Sequence, residues 1–273
     1  MTTVISPGSS ANLGPGFDVL GVAIDRYVWA GDEEACGGRG GERCGPEHIA
    51  RIAYEMAGGT RPIWFGFDLV PGRGLGFSAA ARAAGAMLAR LHAGDDAATA
   101  RHGAYELVNE LEGHGDNAAP SVYGGLFVIA GDIAHPLAAG LPGELLCWVP
   151  ESSTPTDESR AALPSDVPRD DAVFNLGRLG LLLAAIYEGK PSLLRVATED
   201  RLHQPPRLRA QPASAEALRI GLDAGAFCGW LSGSGPTVAL LCERGDRSRI
   251  AAALPDGAAM LSVEFDCTGS VTV

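Results

Sequence analysis

PGRGLGFSAAARAAG, residues 71 to 85, sets glycine at 72, 74 and 76, follows it with Phe77 and Ser78, and continues into an alanine-rich run. Glycine takes positive φ without penalty and lets the backbone approach a ligand closely. Alanine is the strongest helix former, so the run after Ser78 predicts a helix to about His92. With Ser78 as its cap, the first N–H groups of that helix point into the loop and the helix dipole makes them an anion site. The lysine of the common nucleotide-phosphate loop is missing. Two readings stay open for this stretch alone: a lysine-free phosphate loop, or a strand–turn–helix connection with an ordinary serine cap.

Two further loops have the same character. SGSGPT, Ser232 to Thr237, lies between the apolar segments FCGWLSG and TVALLCE, and by itself reads as a hairpin. SSANLGPGFD, residues 9 to 18, places Asn12 and Asp18 on a Gly/Pro loop too long for a plain turn, after a strand expected over TTVISP. Around them, helical periodicity appears in EHIARIAYEMAG, ATARHGAYELVNELEG, AVFNLGRLGLLLAAIYEGK, ASAEALRIGLDAGA and DRSRIAAALP. Strand patterns appear in RPIWFGFDLV, GGLFVIAGD, the segment after AAGLPG and the C-terminus; ATEDRLHQPPRLRAQP reads as a polar stretch. Residues 31 to 46 are Gly-rich and charged and read as a surface loop. Helices and strands interleave without repeats, which predicts an α/β or α+β protein of two modest domains, 1–140 and 141–273.

The chain has 273 residues, 46% of them hydrophobic and 20% charged, as in a globular protein with a sizeable core. Its net charge of −12, from 21 basic and 33 acidic residues, disfavours nucleic acid and anionic membrane as partners. Any anionic ligand therefore needs a local device to hold it. The N-terminus lacks a secretory pattern, the apolar run from Leu179 is too short to span a bilayer, and six scattered cysteines without a C-x-x-C pair read as reduced thiols. A cytoplasmic protein is expected.

Taken in order, the three loops resemble the motif set of the GHMP kinase superfamily, and within it the homoserine kinase family. SSANLGPGFDVLGVAID resembles the first motif, GRGLGFSAAA the phosphate loop and LSGSGPT the third motif, while EGHGDNAAPSVYGG, TPTDESRAALP and LHQPPR resemble further family segments. The resemblance implies an α+β fold, with an N-terminal half like the second domain of ribosomal protein S5 and a ferredoxin-like C-terminal half. It implies transfer of the γ-phosphoryl group of ATP to L-homoserine, with Mg²⁺, and allows a homodimer. It also implies the site. Pro71, Gly72, Arg73, Gly74, Leu75, Gly76, Phe77, Ser78, Ala79 and Ala80 hold ATP. Asn12, Asp18, His114, Asn117, Arg160 and Arg207 bind the amino acid. Thr156 and Asn12 orient the attacking hydroxyl, and Ser78 and Glu106, eight residues before His114, hold magnesium. A guanidinium fork suits a carboxylate, and a carboxylate suits an ammonium group. Phe77 stands where that family usually carries a second serine, and His48 where it usually carries asparagine. The alternatives are a related kinase of another small amino-acid-like alcohol and a non-catalytic binding protein of the same fold.

Overall fold

The structure, a computed structural model, describes residues 1–154 and 156–273; the side chains of Thr156 and Asp157 also lie outside the described residues. The first half builds one antiparallel sheet from β1 (Thr3–Ala11), β2 (Leu20–Gly31), β3 (Glu42–Arg43), β4 (Trp64–Phe67), β5 (Leu126–Ala130) and β6 (Ile133–Leu137). The twelve-residue strand β2 is its spine. One side of it pairs with β1; the other pairs with β4 near Ala30 and with β5 near Gly21.

Four helices pack together beside this sheet: α1 (Ile49–Met56), α2 (Phe77–His92), α3 (Ala97–Glu112) and α4 (Gly115–Tyr123). The alanines of α2 explain its central place, because small buried side chains let neighbours come close. At Gly85 α2 comes close to α1: a Cβ there would stand 2.0 Å from the carbonyl oxygen of Ala50.

The second half runs β7 (Glu144–Pro150), α5 (Thr156–Ala161), α6 (Arg169–Glu188), α7 (Pro191–Ala197), α8 (Gln204–Ala210), α9 (Pro212–Asp223), β8 (Cys228–Leu231), β9 (Val238–Cys242), α10 (Arg247–Ala251) and β10 (Ala258–Val263). Its sheet has the order β10-β7-β9-β8, all antiparallel. In strand number within this unit that is fourth, first, third, second, with helices between first and second and between third and fourth. This is the ferredoxin-like arrangement. The chain then leaves that sheet, and β11 (Val271–Thr272) pairs with β1 at Val4 and Ile5. The last residues thus extend the first sheet rather than closing the second unit.

Three expectations need correction. First, β1 runs on through Ser9 and Ser10 to Ala11, residues expected in a loop, and is buried throughout. Second, ATEDRLHQPPRLRAQP is not irregular, because α8 lies in it. The buried Asp200 carboxylate accepts from the backbone N–H groups of Leu202, His203 and Gln204, and the proline pair stands in the first turn, where proline needs no N–H partner. Third, Ser78 does not cap α2: the cap is Gly76, in the left-handed region at φ +72° and without a side chain to offer. No helix among the described residues is long and apolar enough to cross a membrane.

Candidate active site

The three glycine-serine loops meet at one cleft of about 520 Å³, and the reason is written in their hydrogen bonds. Trp230 Nε1 donates to Ser10 Oγ at 3.0 Å, Ser10 Oγ bonds Ser232 Oγ at 2.8 Å, and Ser232 Oγ donates to the Gly74 carbonyl at 2.6 Å. The buried hydroxyls of Ser10 and Ser232 both have partners, so these polar residues cost little to bury. Gly74 and Gly76 both have positive φ. A Cβ at Gly74 would lie 2.3 Å from the Ser232 carbonyl oxygen, and one at Gly76 2.0 Å from Ser9 Oγ. The glycine spacing is therefore demanded by contacts with the other two loops.

At one end of the cleft, Gly72, Gly74, Gly76, Phe77, Ser78 and Ala79 line the start of α2. Its first N–H groups are uncapped and face a space that a side-chain cap would otherwise fill. Ser78 is exposed there. Phe77 lines that mouth and also packs edge-on against Phe67 and Phe65, at ring separations of 5.3 and 6.1 Å. His48 caps α1, accepting from the Ala50 N–H at 3.3 Å, and its ring rests on Phe65; burial holds it neutral to lower pH than usual.

At the other end, Arg160 donates to both oxygens of Asp18, at 2.8 Å each. Phe17 lies beside it, with the Arg160 guanidinium 5.3 Å and the Arg207 guanidinium 5.2 Å from the ring centroid. Arg207 is 4% exposed, its Nη1 donating to His203 Nδ1 and to the Gly233 carbonyl, while its buried Nε has no partner among the described residues. Burial, and next the Arg160 charge, push its pKa down. His203 in turn must donate from Nε2 to the Gly14 carbonyl, at 2.8 Å, because a carbonyl only accepts. This fixes the tautomer in which Nδ1 accepts from Arg207. The imidazole is fully buried and stacked on Phe17, and that burial pushes its pKa down.

Asn12 holds this end to the third loop. Its Nδ2 donates to the Gly233 carbonyl at 3.0 Å and its Oδ1 accepts the Asp18 N–H at 3.1 Å. The amide works as a clamp that aims Asp18, and Asn12 also lines the cleft. His114 Nδ1 lies 2.7 Å from the buried Asp116 carboxylate, and that bond raises its pKa. Asn117 donates to the same carboxylate and accepts from Ser9 Oγ at 2.9 Å, so α4 is tied to β1. Ligand atoms of Asp18, His114 and Asp116 all lie within 4.8 Å of one another.

The structure thus brings Asn12, Asp18, His114, Asn117, Arg160, Arg207 and Ser78 to one cleft. The expected role of Thr156 concerns a side chain outside the described residues. Glu106 is not in the cleft: its side chain is 67% exposed beside His102 on the outer face of α3. Glu112, six residues on, lines the cleft instead, joined to Arg82 of α2. At 100° per residue, six positions turn the side chain by 240°, onto another face. Glu112 opens the segment EGHGDN, so its place beside His114 was the available signal. Asp116 in the same hexapeptide was also missed, and so was Arg82.

Comparison with known proteins agrees. Residues 176–258 match the GHMP kinases C terminal family. The homoserine kinase of Thermus thermophilus is 39% identical over 265 residues, covering 91% of this chain and 89% of its own. That of Mycobacterium tuberculosis is 37% identical over 267 residues, covering 88% and 84%. In structure, a homoserine kinase from Cytophaga hutchinsonii superposes with a TM-score of 0.83 at 24% identity, over 100% of this chain and 97% of that one. The Methanococcus jannaschii mevalonate kinase shares the fold at a TM-score of 0.70 and 12% identity, over 96% of this chain and 98% of that one.

Proposed function

The chain belongs to the homoserine kinase family, and on that premise we propose that it transfers the γ-phosphoryl group of ATP to the side-chain hydroxyl of L-homoserine, giving O-phospho-L-homoserine for threonine synthesis. The observation that carries this reading is the two-ended cleft: an uncapped helix start at one end, and a bidentate Arg160–Asp18 pair with a buried second arginine at the other.

Homoserine is a zwitterion, and the second end suits one. Entering between Arg160 and Asp18, it replaces their ion pair like for like: its carboxylate takes the guanidinium and its ammonium takes the carboxylate. No charge is left unpaired, which matters because an orphaned charge in such a site is costly. Arg207, which also lines the cleft, brings a second guanidinium to the same end. His114 and Asn117, fixed by Asp116, close the wall beside the ammonium group.

Magnesium fits the phosphate end, where the exposed hydroxyl of Ser78 and the carboxylate of Glu112 are the hard oxygen donors such an ion takes. Bound there, it neutralises phosphate charge and aligns the nucleotide. The N–H groups at the start of α2 receive the phosphates, and Gly74 and Gly76 let the backbone come within hydrogen-bond range. Phosphoryl transfer depends mainly on alignment and charge stabilisation, so a dedicated strong base is not required. Asp18 is already paired with Arg160, and Asp116 is hydrogen-bonded to His114.

The test is ADP release by the purified protein with Mg-ATP, offered L-homoserine, L-serine, L-threonine or mevalonate in turn. L-Homoserine should be turned over far faster than the rest. Arg160→Ala should raise KM for it by roughly two orders of magnitude, the scale of a lost charge-assisted pair. Equal turnover of mevalonate would contradict the amino-acid reading.

A further inference from the structure

Position 82 interrupts the alanine face of α2. Every residue from Ala79 to Ala89 is buried except Arg82, which opens into the cleft. Two of the three arginines lining that cleft, Arg160 and Arg207, stand beside Phe17 at the amino-acid end. Arg82 reaches the cleft from α2, the helix whose start lines the phosphate end. It lies four residues after Ser78 and so on the same helix face. Helix side chains lean toward the N-terminus, which carries its guanidinium back over the turn that begins with the uncapped N–H groups. Its partner is the Glu112 carboxylate, through Nη1 and Oε1. Arg82 and Glu112 side chains are 25% and 13% exposed, so the pair faces the cleft rather than open solvent.

We propose that Arg82 is a phosphate-binding residue of the donor site, passing from Glu112 to the terminal phosphoryl group of the nucleoside triphosphate. The proposal rests on the reading of this cleft as a kinase donor site. A guanidinium has five donors and forks onto phosphate oxygens, so it can leave a carboxylate without leaving a donor buried and unpaired. A divalent cation on Glu112 weakens the hold of that carboxylate on Arg82 while the triphosphate brings new acceptors within reach. The glycine loop carries no lysine, and the chain bears a net charge of −12. Arg82 then supplies a full positive charge where backbone dipoles alone would meet the γ-phosphoryl group. As that group migrates, the same guanidinium balances charge on its equatorial oxygens.

Two measurements decide it. The first is calorimetric titration of wild type and Arg82→Gln with Mg-ADP and with a non-hydrolysable Mg-ATP analogue. Loss of a contact made only to the third phosphate should weaken the analogue by about tenfold or more and ADP by less than about threefold. Arg82→Lys should recover part of the difference. An unchanged triphosphate-to-diphosphate ratio in Arg82→Gln overturns the proposal. The second needs no variant: a crystal structure of the wild type with the same analogue. Arg82 on the γ-phosphate supports the exchange; Arg82 still on Glu112, with no phosphate contact, overturns it. Failure of the wild type to bind either nucleotide would overturn the donor-site reading itself, and the proposal with it.

Discussion

Asn12, Glu112 and His203 show how single residues acquire roles that their type does not announce. Asn12 sits at φ +75°, in a region where asparagine is favoured among non-glycine residues, and both ends of its amide are spent joining two loops. His203 is buried and neutral, and orients Arg207 by accepting from it. Neither role was legible in the sequence, because each depends on a carbonyl, of Gly233 or Gly14, brought from a distant part of the chain. Glu112 gives the sharper case. Counting back from His114 to the family's magnesium glutamate leads to Glu106, whereas the cleft contains Glu112, since a helix end and its following turn fix direction and a count does not. Glu112→Gln should lower kcat by two orders of magnitude or so and raise the magnesium requirement, while Glu106→Gln should stay within about twofold of wild type. Steady-state rates against magnesium concentration check both. Equal effects of the two substitutions would return Glu106 to the site.

At the level of elements, the long periodic helices and most strands are legible in the sequence, and the short helices α4, α7 and α8 are not. The alanine run of α2 and the periodic faces of α3 and α6 carry their own signal. β1 was read short because serine has low strand preference, yet Ser6, Ser9 and Ser10 lie within it. Their hydroxyls bond Ser270, Asn117 and Ser232, so tertiary partners override local preference. The cap of α2 was misassigned for the opposite reason. Serine is the commoner cap, but here a cap would block the anion site, and glycine leaves it open. The Gly74 and Gly76 positions therefore bear on both stability and binding. Gly76→Ala forces a side chain into positive φ against Ser9 and should cost about 1–3 kcal/mol. Urea unfolding would measure that loss, and nucleotide titration should show weaker binding in the same variant. Wild-type stability in the alanine variant would show that β1 and the loop are not in close contact.

For the molecule as a whole, each half supplies one part of the chemistry. The first sheet and its helices bring Ser78, Arg82, Glu112, His114 and Asn117; the second brings Arg160 and Arg207; β1 and the loop after it run between them and carry Asn12 and Asp18. Strand β11 ties the end of the chain back to β1, with Ser270 Oγ 2.7 Å from Ser6 Oγ. The acidity of the chain makes this division useful. Three arginines, Arg82, Arg160 and Arg207, line the cleft beside three carboxylates, so each end offers a zwitterion or a polyphosphate local cations in an otherwise acidic chain. Burial elsewhere is ordinary packing: Cys147 and Cys228 are enclosed in the second sheet, and burial pushes both thiols up to about 12. The central claim is that one cleft brings a γ-phosphoryl group and the hydroxyl of an amino acid into line. Phosphorus NMR of the protein with Mg-ATP and L-homoserine tests it directly. The account predicts ADP and one phosphomonoester in equal amounts, the ester coupled to the side-chain methylene of homoserine. ATP left intact, or ADP with inorganic phosphate alone, would contradict it.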